Sequence, residues 1–402
     1  MKKHIFFNLI LVLLSPWIIE ISLNYFMRSD SFIETKNITI QKNHLLKKDK
    51  KNQLEILKKQ GYQPTAYPSV LSKKNFYQNL MLEYEFLPLG AQPNTKTYFC
   101  DEGYGFIKFK TDYLGFRNKA EDWKKNKLAL IGDSYVHGSC VEDDYTISGH
   151  LKKKGIDNLN LGIGNHQPAQ YYHTIDQFII NERFQNVALL LSLHNDLLGL
   201  DNGDSLFLNN FNSYLFDMET NEFKLSNGGK KFYENLKNNF ADLIKEETEM
   251  NTGISYESFF KLDNLRNALK ANFGIFINKD LICINKFCLY GSLEKRFEKE
   301  LVIVKKTISK LIERCNPEKK CNPIVILLHH PKFYDHNIIY DFRRIYFNKF
   351  INKIKEETSY LKYIDASEFI DPNMPKNYAP AGSHFSRSGY EEVASIIYDN
   401  LR

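Results

Sequence analysis

The sequence predicts an α/β fold in which a parallel sheet of five strands is covered by helices on both faces. Two observations support this fold class. From residue 126 onwards, short apolar runs alternate with segments of helical periodicity. The run 187–193 has almost no polar interruption, which is typical of a parallel strand buried on both faces. Alternating strands and helices form parallel sheets because each helix carries the chain back across one face of the sheet.

Each predicted element follows from a local pattern. The predicted strands are the apolar runs Leu128–Ile131, Leu159–Leu161, Val187–Leu193, Ile324–Leu328 and Leu361–Ile364. The predicted helices are Asn52–Lys59, Thr146–Lys154, Ala169–Asn181, Leu293–Ile312, Asp341–Glu356 and Ser388–Leu401. Gly155 ends the helix that begins near Thr146. In the long helix that begins at Leu293, the apolar residues recur at helical spacing.

Composition divides the chain into four parts. Residues 1–27 carry two lysines before a mostly apolar run of about 20 residues, which is the length of a membrane-spanning helix, so we expect an uncleaved membrane anchor. Residues 28–60 are polar and lysine-rich, as in a stalk, and residues 61–125 predict a small β-rich segment packed on the main domain. Residues 126–402 form the main domain, with an insertion at 201–290 that breaks the alternation of strands and helices.

Charge and cysteine usage limit the possible environments. The excess of 54 basic over 48 acidic residues is small and lacks arginine runs, so no nucleic-acid partner is expected. The six cysteines fit three disulfides in an oxidising compartment, with Cys283 near Cys288 and Cys315 near Cys321, or else six unpaired thiols. Their spacing matches no zinc pattern, and neither a metal nor an organic cofactor is expected. We therefore place the main domain on the periplasmic or extracellular side of the cytoplasmic membrane.

Polar residues that suit acyl transfer follow the predicted strands. Ser134, Gly162 and Asn195 come after the first three strands of the main domain, and His384 lies in a late loop. Ligands of such sheets bind beyond the carboxyl ends of the strands, so these residues should meet at one edge. Ser134 would be the nucleophile and His384 its base, while the backbone N–H groups of Ser134 and Gly162 and the Asn195 amide would hold the oxyanion.

The four blocks resemble those of the SGNH (GDSL-like) hydrolase superfamily. They are Gly132-Asp133-Ser134, Gly162, Asn195-Asp196 and His384, and the resemblance covers roughly residues 111–200 and 320–402. It is strongest to a bacterial membrane-anchored group that has a Gly-Phe-Arg element before the first strand, here at 115–117. The resemblance implies a three-layer, flavodoxin-like sheet and a disulfide between Cys100 and Cys140.

Two positions depart from the family pattern. The third block begins with Leu193 where the family has glycine, and Ala381 stands where an aspartate would orient the histidine. A distant carboxylate such as Asp371 or Glu368, a backbone carbonyl, or no group at all could take the place of that aspartate.

The resemblance implies a serine esterase. We expect it to remove O-acyl groups, acetyl above all, from an envelope or secreted polysaccharide. An O-acyltransferase and an inactive glycan-binding protein are the alternatives, and the missing aspartate is the main support for the second. The sequence does not indicate the oligomeric state.

Overall fold

The computed structural model describes most of the chain outside its first 51 residues and the middle of the predicted insertion. The described residues are 52–72, 75–124, 127–180, 183–192, 211–220, 222–239, 275–278, 281–284, 287–290, 293–315, 321–329, 351–356, 361–372 and 374–401, with single positions at 15, 196, 348 and 358. The chain divides into two compact units, one of residues 1–56 with 237–296 and a larger one of residues 57–236 with 297–402.

The larger unit is built on a five-stranded sheet in which every strand runs parallel to its neighbours. In chain order its strands are β1 (Leu128–Ile131), β2 (Asn158–Asn160), β3 (Asn186–Ser192), β4 (Asn322–Leu328) and β5 (Lys362–Asp365). Their spatial order is β5-β4-β3-β1-β2. The sequence prediction of a parallel, flavodoxin-like sheet of five strands is therefore confirmed, and the order reverses at β1, where ligands of such sheets bind.

Helices flank this sheet. They are α1 (Ser134–His137), α2 (Ile147–Lys153), α3 (Pro168–Phe178), α4 (Leu293–Arg314) and α5 (Arg387–Asn400), and residues 351–356 are also helical. The bounds of the strands and helices lie within three residues of those predicted, except for the helix predicted from Asp341, most of which lies outside the described residues. Residues 52–59 are helical as predicted.

The strands are buried on both faces, which explains their continuous apolar runs. Leu128 and Leu130 of β1 share a core cluster with Ile147 of α2 and Val393 of α5. Ala129 and Ile131, which alternate with these leucines, point to the opposite face and are also fully buried. Because successive side chains of a strand point to opposite faces, both faces of β1 must be covered.

Residues 61–125 contain more helix than the sequence analysis predicted. Lys96–Phe99 pairs with Gln63–Pro64 in parallel and with Ile107–Lys110 antiparallel, which gives the expected small sheet. Two helices, Pro68–Leu71 and Asn75–Glu83, lie between these strands in the chain.

Part of the predicted insertion, up to Leu236, belongs to the larger unit. Residues 211–239 form two antiparallel strands, Tyr214–Asp217 and Glu222–Leu225, and the helix Asn227–Asn238. The Tyr214 hydroxyl accepts hydrogen bonds from the backbone N–H groups of Leu89 (2.8 Å) and Gly90 (3.1 Å). The Tyr233 hydroxyl donates to the carbonyl of Gly90 at 2.8 Å.

The smaller unit contains a three-stranded antiparallel sheet. Its central strand, Leu281–Ile284, lies between Ile275–Asn278 and Phe287–Tyr290, and its register places Cys283 opposite Cys288. Among the described residues no helix is long and apolar enough to cross a bilayer. The predicted anchor at 1–27 lies outside those residues, apart from Ser15.

Candidate active site

Ser134 begins the short helix α1, three residues after the end of β1. The carboxylate of Asp133 caps this helix by accepting a hydrogen bond from the backbone N–H of Tyr135 at 2.9 Å. Gly138 ends the helix in the left-handed conformation, with φ of 77°. The cap and this early end keep Ser134 at the carboxyl edge of the sheet, where its side chain is largely buried.

His384 lies beside Ser134, although 250 residues separate the two in the chain. Its Nε2 is 2.9 Å from the Ser134 Oγ, which is hydrogen-bond distance for a nucleophile and its base. The His384 loop precedes α5 and is tied to α1, because the Tyr135 hydroxyl donates to the carbonyl of Ser383 at 3.0 Å. The backbone N–H of Ala379 donates to the carbonyl of His384 at 2.9 Å. The structure thus brings together the predicted nucleophile and the predicted base.

Glu102 takes the place of the orienting carboxylate, which the sequence analysis did not predict. Its Oε1 is 2.8 Å from His384 Nδ1, and its Oε2 accepts the backbone N–H of His384 at 3.1 Å. Asp371 and Glu368, the two carboxylates named from the sequence, are not the groups bonded to the imidazole. The prediction failed because it considered carboxylates near His384 in the sequence, whereas Glu102 belongs to the 61–125 segment and precedes His384 by 282 residues.

The hydrogen bonds of Glu102 control its ionisation. Burial on its own would raise the pKa of this carboxyl group. The side-chain and backbone hydrogen bonds from His384 outweigh that effect, so the pKa of Glu102 lies below its usual value of 4.5. An ionised Glu102 at neutral pH fixes a proton on Nδ1 and leaves Nε2 free to accept the hydroxyl proton of Ser134.

Gly382 makes room for Glu102. A Cβ atom at this position would lie 1.8 Å from Cδ of Glu102 and 2.1 Å from its Oε2, far inside contact distance. The neighbouring Ala381 donates its backbone N–H to the carbonyl of Glu102 at 2.9 Å. The loop that carries His384 is therefore shaped around this carboxylate.

A disulfide joins the Glu102 segment to the turn after the nucleophile. Cys100 and Cys140 are bonded, with their Cα atoms 5.3 Å apart, which confirms the pairing that the family resemblance implied. Glu102 lies two residues beyond Cys100 and Cys140 lies six residues beyond Ser134. An acidic residue so close to Cys100 was therefore the one sequence signal that could have indicated the orienting carboxylate.

Arg387 lies between two aromatic rings, one of which belongs to the segment that carries Glu102. The Arg387 guanidinium carbon lies 4.5 Å from the ring centre of Tyr104 and 4.7 Å from that of Tyr145. Both its Nε (3.0 Å) and its Nη2 donate to the carboxylate of Glu142. Because Tyr104 follows Glu102 closely and Arg387 follows His384 closely, this contact fixes the two loops relative to each other.

Of the oxyanion donors predicted from the sequence, the Gly162 N–H already has a hydrogen-bond acceptor. The backbone N–H of Gly162 donates to Oδ1 of Asn160 at 2.9 Å, so an oxyanion would have to share that donor. The side chain of Asn160 also donates to the carbonyl of Val136 at 2.9 Å, which ties the end of β2 to α1. Asn195 lies outside the described residues. The oxyanion roles of Ser134, Gly162 and Asn195 stay predictions.

Asp196, the second residue of the Asn-Asp block, is a buried structural acid. Its Oδ1 accepts the Tyr171 hydroxyl at 2.7 Å, and its Oδ2 accepts the backbone N–H of Ser192 at 2.6 Å. Burial, with the nearby Asp133 charge adding to it, raises the pKa of Asp196 well above its usual value. These bonds fix the backbone at the end of β3.

Other histidines near the sheet edge contact aromatic rings or a carboxylate. The buried His137 ring packs edge-on against Tyr67 (5.7 Å) and against Phe109 (5.1 Å). His329 lies just after β4, with its Nε2 2.7 Å from Oδ1 of Asp365 at the end of β5. Neither contact reaches the Ser134 hydroxyl.

No family model matches the chain, and no curated protein matches it. A solved structure from Desulfitobacterium hafniense, described as a G-D-S-L family lipolytic protein, is similar over 69% of this chain and 99% of its own. The two are 12% identical with a TM-score of 0.35.

Proposed function

We propose that this protein is a serine ester hydrolase of the SGNH type that works through an acyl-enzyme. The observation that carries the proposal is the continuous chain of hydrogen bonds from the Ser134 Oγ through both ring nitrogens of His384 to the Glu102 carboxylate. A nucleophile, a base and a group that orients the base are the three parts of a triad for covalent acyl transfer.

The reaction would follow from these contacts in two steps. Ser134 Oγ attacks the acyl carbon while Nε2 of His384 takes its proton. The tetrahedral intermediate collapses when the Nε2–H proton passes to the departing alkoxide, which leaves Ser134 acylated and releases an alcohol. Water, deprotonated by Nε2, then attacks the acyl carbon, and the proton returns to Ser134 as the carboxylic acid leaves. Each preorganised oxyanion donor typically contributes about 3 kcal/mol to such steps.

The substrate we propose is an O-acetylated polysaccharide of the cell envelope or a secreted one. The protein would reach it from a single-pass anchor in the cytoplasmic membrane, with the catalytic domain on the periplasmic or extracellular side. The Cys100–Cys140 and Cys315–Cys321 disulfides support this location, because disulfides persist in oxidising compartments. The polysaccharide itself rests on the family resemblance alone.

The inactive glycan-binding alternative loses its main support. It depended on the missing aspartate at position 381, and Glu102 supplies a carboxylate to the same imidazole. The acyltransferase alternative shares the acyl-enzyme and differs only in whether water or a sugar hydroxyl accepts the acyl group.

Acetate release by the full chain from acetylated polysaccharides tests the proposal. We expect release by the parent and none by Ser134→Ala. A transferase would instead release little acetate until an unacetylated glycan acceptor was added, and it would then form the new ester. Equal release by parent and variant would contradict a role for Ser134.

A further inference from the structure

We propose that reduction of the Cys100–Cys140 disulfide creates a zinc site where Glu102 meets Nδ1 of His384. Bound zinc would then inactivate Ser134. The site would consist of the two cysteine thiolates, the Glu102 carboxylate and Nδ1 of His384. Thiolate, imidazole and carboxylate are the ligands that Zn²⁺ prefers, and four of them complete its tetrahedral shell.

The ligand atoms already lie close together. Cys140 Sγ is 3.6 Å from His384 Nδ1, and the same nitrogen is 2.8 Å from Glu102 Oε1. One ligand atom from each of these three residues lies within 4.8 Å of the other two. Zinc–ligand bonds of about 2.0–2.3 Å at tetrahedral angles put sulfur and nitrogen about 3.5 Å apart, and nitrogen and oxygen about 3.4 Å apart. The sulfur–nitrogen distance therefore fits as it stands, and the nitrogen–oxygen distance must open by about 0.6 Å.

Cys100 would supply the fourth ligand. The Cα atoms of Cys100 and Cys140 are 5.3 Å apart. Once the disulfide is reduced, rotation of the freed Cys100 side chain would have to bring its sulfur to the ion held by the other three ligands. Reduction takes two electrons from a thiol or phosphine reductant and two protons, from the thiols or, with a phosphine, from water, and it leaves two separate thiols. Zinc then displaces the thiol protons as it binds.

The proposed ligands have the hydrogen-bond partners and the solvent access that metal binding needs. A histidine that binds a metal through one nitrogen usually donates its other N–H to a fixed acceptor. Here Nε2 faces the Ser134 Oγ at 2.9 Å, and that oxygen can accept. Glu102 Oε2 keeps its bond from the His384 backbone N–H. Glu102 and His384 are each partly exposed, with 15% and 19% of their side chains accessible, so an ion can reach them from solvent.

Bound zinc would stop catalysis by holding His384 in the wrong tautomer. With zinc on Nδ1, the proton of the neutral imidazole is held on Nε2, which then donates to Ser134 instead of accepting its proton. Glu102 is also withdrawn from its orienting role. Loss of the correct tautomer in a serine triad costs on the order of 10⁴ in kcat.

Cobalt and zinc binding to the reduced full chain tests the site directly. The chain is reduced with a phosphine, which becomes the phosphine oxide by taking oxygen from water, and the reductant is removed under nitrogen. We expect Co²⁺ to give thiolate charge-transfer and tetrahedral bands that Zn²⁺ abolishes. Cys140→Ala and His384→Ala should lose this signal, and Cys321→Ala, a matched control outside the site, should keep it.

The second readout rests on the proposed function. Fluorophosphonate should label Ser134 in the oxidised chain with or without zinc, and in the reduced chain only after zinc is removed by a chelator. The metal site is overturned if Cys140→Ala binds metal like the parent, or if the reduced chain loses its native circular dichroism. If no state is labelled while the Cys140-dependent metal signal persists, the hydrolase proposal fails and the metal site stands.

Discussion

At the scale of single residues, Glu102 is the group on which the catalytic account depends most. Both of its carboxylate oxygens accept hydrogen bonds from His384, one from the ring and one from the backbone. An amide has only one acceptor oxygen, so glutamine cannot satisfy both donors. In either orientation the glutamine NH₂ group faces an N–H of His384 or forces the ring into the wrong tautomer.

Glu102→Gln should therefore lower kcat for p-nitrophenyl acetate by a factor of about 10³–10⁴. KM should change little, because the carboxylate faces the back of the imidazole. Asp371→Asn and Glu368→Gln serve as matched controls and should keep the parental kcat. A loss of kcat in either control as large as that of Glu102→Gln would contradict the assignment.

Gly382→Ala should act through the same carboxylate. Its new Cβ would lie 1.8 Å from Cδ of Glu102, so the carboxylate must move away from Nδ1 and kcat should fall by about 100-fold or more. In a Glu102→Ala background the clash is gone, and Gly382→Ala should then have almost no further effect on kcat. Additive losses in this double-mutant cycle would show that Gly382 acts elsewhere.

The sequence predicts Ser134 and His384 of the candidate triad but not Glu102, and the reason is physical. Ser134 follows a buried strand in a tight turn, and His384 precedes a helix in a late loop, so both have local signals. The only signal for Glu102 is its closeness to Cys100, because its function arises when a disulfide and the His384 loop bring distant segments together. The family pattern places the orienting aspartate at position 381, whereas the carboxylate that contacts His384 is that of Glu102.

At the scale of elements, a contact between His329 and Asp365 joins the ends of β4 and β5. His329 and Asp365 meet at 2.7 Å, and Ser367 also donates to the same carboxylate. Burial opposes ionisation of Asp365, but the His329 contact and the other hydrogen bonds outweigh it and lower the pKa of Asp365 from 3.8 to about 2. The folded state thus favours the charged carboxylate, which stabilises the protein above pH 3.8 and loses this effect as the pH falls toward 2.

Asp365→Asn should accordingly destabilise the protein in a pH-dependent way. We expect the free energy of unfolding at pH 7 to fall by about 2 kcal/mol, since a shift of one pKa unit corresponds to about 1.4 kcal/mol. The difference from the parent should shrink between about pH 4 and pH 2. Urea unfolding at several pH values measures it, and a difference that does not vary with pH would contradict the explanation through the ionised Asp365.

The elements themselves were predictable where their pattern is local. Apolar runs located all five strands of the sheet, and helical spacing in the long helix Leu293–Arg314 gave its start correctly. The helix Asn75–Glu83 was missed because its buried residues, Tyr77, Leu80 and Met81, lie in a segment that we interpreted through its short alternating runs.

At the scale of the whole molecule, the candidate site is assembled from three distant stretches of the larger unit. The main domain supplies Ser134 and His384, and the segment 61–125 supplies Glu102. The segment at 61–125 is therefore part of the site itself as well as of its support. The prediction of an insertion at 201–290 did not anticipate that residues 211–239 bond to the 84–90 loop, because those contacts are long-range.

Covalent labelling of the full chain with a fluorophosphonate tests the central claim most directly. The oxidised parent should be labelled at Ser134, Ser134→Ala should not be labelled, and Glu102→Gln should be labelled far more slowly than the parent. Labelling of Glu102→Gln at the parental rate would contradict the role of Glu102. An unlabelled parent with its disulfides intact would contradict an activated serine and with it the proposed hydrolase.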